Sequence, residues 1–126
     1  MINTDKHVKY WIEGANEDIL SAKILIEKQR YLHGLFLCHL SIEKALKAHV
    51  VKSLEEIPPR THNLIYLADL AKIEVSENYL VFMGILMNYQ LQGRYPDYNI
   101  RIPEKITIDN YLVETEKLLK WLIEIL

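Results

Sequence analysis

Several kinds of residue are scarce in this sequence of 126 residues. Its one cysteine, Cys38, excludes an internal disulfide, and the CxxC pairs typical of metal or redox sites are missing. Only four glycines and four prolines occur, which disfavours collagen-like repeats and low complexity. We therefore expect a reducing compartment, by default the cytoplasm.

Long apolar runs and a strong net charge are also missing. No run approaches the roughly 20 apolar residues of a membrane span, and the first residues lack the apolar core of a signal peptide. The formal charge of -2 and the pI near 6.2 give no overall attraction to nucleic acid, although a basic patch is compatible with a neutral total. We expect no membrane segment, and charge alone neither indicates nor excludes an RNA partner.

Helical periodicity is what the sequence contains. Half of the residues are hydrophobic and a quarter are charged, which at this length predicts one globular domain over residues 1–126. Apolar residues recur at steps of three or four in segments at about 5–28, 31–52, 62–72, 76–92 and from 107 onward. The predicted fold is all-α, an antiparallel up-and-down bundle of four long helices and one short helix.

Capping residues and breakers mark the predicted helix ends. The predicted N-caps are Asn3 or Thr4, Thr61, Ser76 with Glu77, and Thr107 with Asp109. Pro58 and Pro59 separate the second helix from the third, and Gly93 is expected to stop the fourth. Gly34 lowers helix propensity within the second helix unless another backbone approaches it closely.

The second helix is predicted to be central, because it is apolar around most of its circumference. It also carries His39, Glu43, Lys44 and Lys47, and polar groups near a core need partners. Glu43 and Lys47 have the spacing of a structural ion pair, and His39 is placed for a buried hydrogen bond with Glu43. Alternatively, Lys44 and Lys47 together meet a phosphate.

The loop Arg94-Tyr95-Pro96-Asp97 differs in composition from the rest of the chain. It offers a guanidinium for phosphate, an aromatic face for a base and a carboxylate for hydrogen bonding, which together suit a nucleotide. The alternative is a helix-terminating loop in which Arg94 either pairs with Asp97 or caps helix carbonyls, and Tyr95 packs down.

Two aromatic side chains have two interpretations each. His62 either joins the nucleotide site as an acid or base, or makes a hydrogen bond at the start of the third helix, which is the favoured interpretation. Trp11 either packs over the bundle end or faces a partner, and packing is favoured because large aromatic side chains are mostly buried.

No cofactor and no metal site are expected. The nearest approach to a ligand set is His33, Cys38 and His39. The side chains of Cys38 and His39 diverge on a helix, however, and no second ligand pair follows.

Four segments resemble, in family order, the prokaryotic HEPN domain (higher eukaryotes and prokaryotes nucleotide-binding). They are Trp11 with Ala15-Asn16-Glu17-Asp18, Ser41-Ile42-Glu43-Lys44-Ala45-Leu46-Lys47-Ala48, Thr61-His62-Asn63-Leu64 and Arg94-Tyr95-Pro96-Asp97. The resemblance spans nearly the entire chain. It implies an up-and-down bundle that usually dimerises and is often encoded beside a minimal nucleotidyltransferase. Family roles range from nucleotide or RNA binding to metal-independent ribonuclease toxins.

The sequence departs from the ribonuclease branch of that family, in which an Arg is followed after about four to six residues by a His near the dimer groove. No histidine follows Arg94 or Arg101, and Arg30 and Arg60 lack the spacing. RNA cleavage without metal needs a base for the 2'-hydroxyl and a group that stabilises phosphate charge. Arg94 suits the second task, whereas the first has no obvious occupant in the sequence.

The favoured interpretation is therefore a homodimeric binding module, associated with a nucleotide or RNA and partnering a nucleotidyltransferase. Its predicted ligand residues are Arg94, Tyr95, Asp97, His62, Lys44 and Lys47. The first alternative is a metal-independent ribonuclease of the toxin kind, using Arg94 with His62. The second is a purely structural interaction domain, for which the eight tyrosines would supply the dimer surface.

Overall fold

The second helix contacts each of the other helices in the described structure. The computed structural model describes residues 2–92 and 100–126, within which five α-helices and no strand occur. The helices are α1 Thr4–Glu27, α2 Tyr31–Leu54, α3 Leu64–Leu70, α4 Glu77–Met87 and α5 Lys105–Glu124. Contacts join α2 to α1, α3, α4 and α5. The all-α class and the central place of α2 are confirmed, whereas the up-and-down arrangement stays a prediction.

The core is built around α2. Its almost completely buried apolar side chains include Leu35, Ile42, Leu46 and Val50. They belong to one apolar cluster with residues from the other helices, which include Ala22, Leu64, Met83, Leu118 and Leu122. Burying each large aliphatic side chain contributes about 1.5–3 kcal/mol. The polar residues of α2 are thus carried by the best-packed element of the molecule.

Two of the predicted helix starts are confirmed by their caps. Asn3 Oδ1 accepts a hydrogen bond from the Lys6 amide at 3.1 Å, and Ser76 Oγ accepts one from the Tyr79 amide at 3.3 Å. Each cap provides a partner for one of the amides that a first helical turn leaves free. The bounds of α1 and α2 fall within two residues of the predicted ones.

The predicted start of α3 is wrong. The helix begins at Leu64 rather than His62, and Asn63 caps it by accepting from the Tyr66 amide at 3.0 Å. Thr61 Oγ1 instead accepts from the Asn63 amide at 3.2 Å, which fixes the turn before the cap. Thr61 and Asn63 are both suitable capping residues, and sequence alone does not distinguish them.

The predicted last residue of α4 and the predicted first residue of α5 are also wrong. α4 ends at Met87 rather than Gln92, because the amides of Asn88 and Tyr89 turn to the carbonyls three residues before them and tighten the last turn. The predicted stop at Gly93 lies outside the described residues. α5 begins at Lys105, directly after the Pro103-Glu104 pair, so Thr107 lies within its first turn.

Glycine allows α1 and α2 to pack closely. A Cβ added to Gly34 would lie 2.6 Å from Ile26 Cγ1 and 3.3 Å from the Ala22 carbonyl oxygen. Gly34 thus meets the condition under which its low helix propensity is offset, because the Ala22 backbone and the Ile26 side chain of α1 approach it closely. None of the helices within residues 2–92 and 100–126 is long and apolar enough to cross a membrane.

Candidate functional site

A buried carboxylate organises the polar face of α2. Glu43 is only 3% exposed, and its two oxygens have different partners. Oε2 accepts a hydrogen bond from Lys47 Nζ at 3.0 Å, and Oε1 accepts one from His62 Nδ1 at 2.8 Å. A buried carboxylate is costly unless donors surround it, and these two bonds offset that cost. We call His39, Glu43, Lys47 and His62 the Glu43 cluster.

The Glu43–Lys47 ion pair confirms the structural pairing predicted from their spacing on the helix. Lys47 is itself only 7% exposed, so its charge is neutralised within the fold. Lys44 pairs with another carboxylate, because its Nζ lies 2.8 Å from Asp18 Oδ2 on α1. Each lysine thus has its own acidic partner, and their joint role as phosphate ligands stays a prediction.

His39 binds the loop backbone instead of Glu43. Its Nε2 donates to the carbonyl oxygen of His62 at 2.9 Å, while its Nδ1 lies 3.9 Å from Glu43 Oε1, too far for a hydrogen bond. The predicted His39–Glu43 hydrogen bond is therefore wrong. Burial lowers the pKa of His39, so the ring is held neutral with its proton on Nε2.

His62 is anchored to α2 through both its backbone and its side chain. It precedes α3 by two residues, and its hydrogen bonds run to His39 and Glu43 rather than to the start of α3. The side chain remains 44% exposed. Because Nδ1 donates to Glu43, Nε2 is the nitrogen that carries the lone pair when the ring is neutral.

Trp11 contacts the Glu43 cluster from α1. The ammonium of Lys47 lies 5.3 Å from the centroid of the Trp11 ring, within the range of a cation–π interaction. Tyr10 meets the same ring edge-to-face, with centroids 5.1 Å apart and ring planes at 81°. Trp11 is partly buried, in agreement with the packing role favoured from the sequence.

Three predicted ligand residues cannot be placed relative to this cluster. Arg94, Tyr95 and Asp97 lie outside the described residues. Their role in nucleotide binding stays a prediction. Of the six predicted ligand residues, the structure brings His62 and Lys47 together on one carboxylate, with Lys44 on the same helix but paired elsewhere.

The other nucleophilic or metal-ligating groups are poorly placed for chemistry. Cys38 is buried, and burial raises its pKa to about 12, so its thiol stays protonated and unreactive near neutral pH. Within residues 2–92 and 100–126, no group of three or more His, Cys, Asp or Glu side chains is arranged to hold a metal ion.

Acid should destabilise the fold through two buried histidines. Like His39, His49 has a pKa lowered by burial, and its Nε2 donates to the Leu122 carbonyl oxygen at 2.7 Å. Both rings take up protons more readily in the unfolded chain, where the pKa is roughly 6.5. The stability that these two neutral rings contribute is therefore fully present above that pH and is lost as the pH falls below it. We expect the melting temperature to fall between pH 7.5 and 5.5.

Replacing His49 by glutamine, which keeps a donor for Leu122 but does not titrate, should weaken this pH dependence. Scanning calorimetry or circular dichroism at several pH values measures it. A melting temperature that is constant across the range would contradict the assignment of the two rings as neutral buried donors.

Comparison with known proteins agrees with this architecture. The HEPN domain family model matches residues 8–126. The fold is similar to the crystal structure of TT1696 from Thermus thermophilus, with a TM-score of 0.78, 23% identity, and 94% of this chain and 98% of that chain covered. It is also similar to ST0689, described as an archaeal HEPN homologue, with a TM-score of 0.71, 23% identity, and 93% and 95% covered. Among curated proteins, no significant match was found.

Proposed function

The chain belongs to the HEPN domain family, and from that premise we propose that it is a homodimeric binding module that engages a nucleotide or RNA and partners a nucleotidyltransferase. The resemblance to the HEPN family supports two protein partners, a second copy of this chain and a nucleotidyltransferase. Apolar side chains exposed on the outer faces of α1 and α5 offer surface for them, namely Leu20, Ile24, Ile106 and Val113.

The observation that carries the ligand-binding role is the way in which Glu43 holds His62. A half-exposed imidazole is fixed by a charge-assisted hydrogen bond to a carboxylate that is itself buried in the best-packed helix. Such a ring is pre-oriented, so little freedom is lost when its Nε2 contacts a ligand. A phosphate oxygen, a ribose hydroxyl or a base edge each suits that nitrogen in one of its protonation states.

Binding is favoured over catalysis because the cluster supplies only one of the two functions that cleavage requires. His62 Nε2 suits a base for a 2'-hydroxyl, but phosphate charge must also be stabilised. Lys47 and Lys44 are already paired with Glu43 and Asp18. Because each lysine is paired with a carboxylate, the two lysines add little net positive charge beside His62.

The Glu43–His62 hydrogen bond supports a ribonuclease as the second candidate. A carboxylate that fixes the imidazole tautomer and leaves the other ring nitrogen for a substrate hydroxyl is a common arrangement of a general base. In this candidate Arg94 would stabilise phosphate charge, and His62 would take the proton from the 2'-hydroxyl.

Removing the His62 ring should weaken RNA binding without unfolding the protein. We expect the dissociation constant for a labelled single-stranded oligoribonucleotide to rise about tenfold in His62→Ala, as expected for the loss of one charged or polar contact of about 1.4 kcal/mol. Fluorescence anisotropy measures the affinity. His33→Ala is the matched control, because His33 is an exposed histidine of α2 that makes no contact with the Glu43 cluster.

The same samples distinguish the two candidates. The binding module should leave the oligonucleotide intact in the presence of a chelator, whereas a ribonuclease should cleave it and lose cleavage in His62→Ala. Equal affinities in His62→Ala, His33→Ala and the unaltered protein would remove His62 from the proposed ligand site.

A further inference from the structure

A cleft of about 280 Å³ lies between the first turns of α1 and the loop that joins α2 to α3. Its lining residues are Lys6, His7, Tyr10, Trp11, Ile57 and Pro58. Trp11 lines this cleft and also contacts Lys47, so this one residue links the cleft to the Glu43 cluster. We call it the Trp11 cleft, and the function proposed above does not use it.

The shape of the cleft suits a flat ring. Tyr10 and Trp11 stand nearly perpendicular to each other and form an aromatic corner, while Ile57 and Pro58 supply an apolar wall from the loop. Tyr10 is 66% exposed although it is a large aromatic residue. Unpaired bases stack on exposed aromatic side chains of this kind in proteins that bind single-stranded nucleic acid.

The lining of the cleft is mostly apolar but includes two basic residues. Lys6 and His7 lie in its lining, and none of the lining residues is acidic. Three other clefts in the described part of the chain have carboxylates beside lysines in their linings, namely Glu116 and Glu124 with Lys120, Asp5 with Lys9 and Lys52, and Glu27 and Asp109 with Lys23 and Lys105. Of these four clefts, the Trp11 cleft is therefore the one whose basic residues have no carboxylate beside them in the lining.

We propose that the Trp11 cleft binds the base of a nucleotide, which stacks on Tyr10 while Lys6 and His7 face its phosphate. This assignment rests on the proposed function, and it adds a base-binding subsite that is linked to His62 through other residues. Lys47 and Glu43 connect the two, since Lys47 touches the Trp11 ring and Glu43 binds both Lys47 and His62. A free mononucleotide and an unpaired base of single-stranded RNA share this chemistry.

The two tryptophans of the chain allow a direct test. Trp11 lines the cleft, whereas Trp121 packs against Tyr79 outside it, with ring centroids 5.4 Å apart. In a Trp121→Phe background, the fluorescence of Trp11 should therefore be quenched as adenosine 5'-monophosphate or an oligoadenylate is added. Inorganic phosphate, which lacks a base, should displace either probe poorly.

Tyr10→Ala in the same background should weaken binding of both probes about tenfold or more, because stacking on one aromatic ring contributes of that order. Tyr66→Ala is the matched control, since Tyr66 is also exposed, at 48%, but lies on α3 outside the cleft. It should bind as the unaltered background does. Saturation by the mononucleotide alone identifies a free nucleotide as the ligand, and binding of the oligonucleotide alone identifies RNA.

Each contrary result has a separate meaning. Nucleotide binding that is equal in Tyr10→Ala and Tyr66→Ala would overturn the Trp11 cleft but leave the proposed function standing. Equal displacement by inorganic phosphate would assign the site to phosphate rather than to a base. Calorimetry that detects no binding of any probe would overturn both the cleft and the nucleotide-binding function.

Discussion

Replacing Glu43 with alanine should lower the free energy of unfolding by about 3–5 kcal/mol, because the ammonium of Lys47 would be left buried without its counter-charge. His62 would lose its ring partner in the same step. Since a domain of this kind is stable by only about 5–15 kcal/mol, the loss should be plain in urea denaturation as a lower midpoint.

An exposed ion pair provides the control. Lys9 and Glu13 also lie four residues apart on a helix, at 3.8 Å, but both are largely exposed. Glu13→Ala should therefore cost no more than about 0.5 kcal/mol. In the double variant Glu43→Leu with Lys47→Met, most of the loss should be recovered, because apolar residues of similar size can replace a buried pair.

A loss in Glu43→Ala as small as that in Glu13→Ala would show that the carboxylate is not buried with its partners. A double variant that is no more stable than Glu43→Ala would show that the cost lies in packing rather than in the unpaired charge.

Gly34→Ala should destabilise the protein by about 1–2 kcal/mol, although alanine is the better helix former by about 1 kcal/mol. The new methyl group would lie 2.6 Å from a buried Ile26 carbon and 3.3 Å from a backbone oxygen, so α1 and α2 would have to move apart. Thermal or urea denaturation measures the effect.

Gly84→Ala is the matched comparison. Gly84 lies within α4, and a Cβ there would meet no atom within 4 Å. The same substitution should therefore stabilise the protein by about 0.5–1 kcal/mol through helix propensity alone. If Gly34→Ala stabilised the protein as Gly84→Ala does, the close packing of α1 on α2 at Gly34 would be contradicted.

Local patterns in the sequence were sufficient to predict the elements and the centre of this fold. The period of apolar residues located all five helices and identified α2 as the core helix. The Glu43–Lys47 pair was also predictable, because residues four apart on a helix are neighbours whatever the rest of the chain does.

Contacts between helices could not be predicted in this way. Glu43 meets His62 across the loop that follows α2, and Lys44 meets Asp18 on α1. Neither pair has a spacing that sequence periodicity can detect. The Trp11 cleft was missed for the same reason, since its two walls come from α1 and from the loop before α3.

Two wrong predictions, the hydrogen-bond partner of His39 and the end of α4, arose where the local sequence allows more than one arrangement. His39 had a carboxylate within reach on its own helix, but its one donor nitrogen binds the His62 carbonyl brought in by the loop. The apolar period of α4 continues to Tyr89, which is indeed buried, although the helix has already ended at Met87. Periodicity reports which side chains face the core, and a tight turn can preserve that orientation.

The central claim is that Glu43 holds the His62 ring with Nε2 available to a nucleotide or RNA. It is tested most directly by the ¹⁵N spectrum of the histidine rings in mildly alkaline buffer, with and without a single-stranded oligoribonucleotide. We expect His62 as the Nδ1–H tautomer, with an Nε2 resonance that shifts on addition of the oligonucleotide while that of His33 stays in place. An Nε2–H tautomer of His62, or bound RNA that leaves the Nε2 resonance unmoved, would contradict the account.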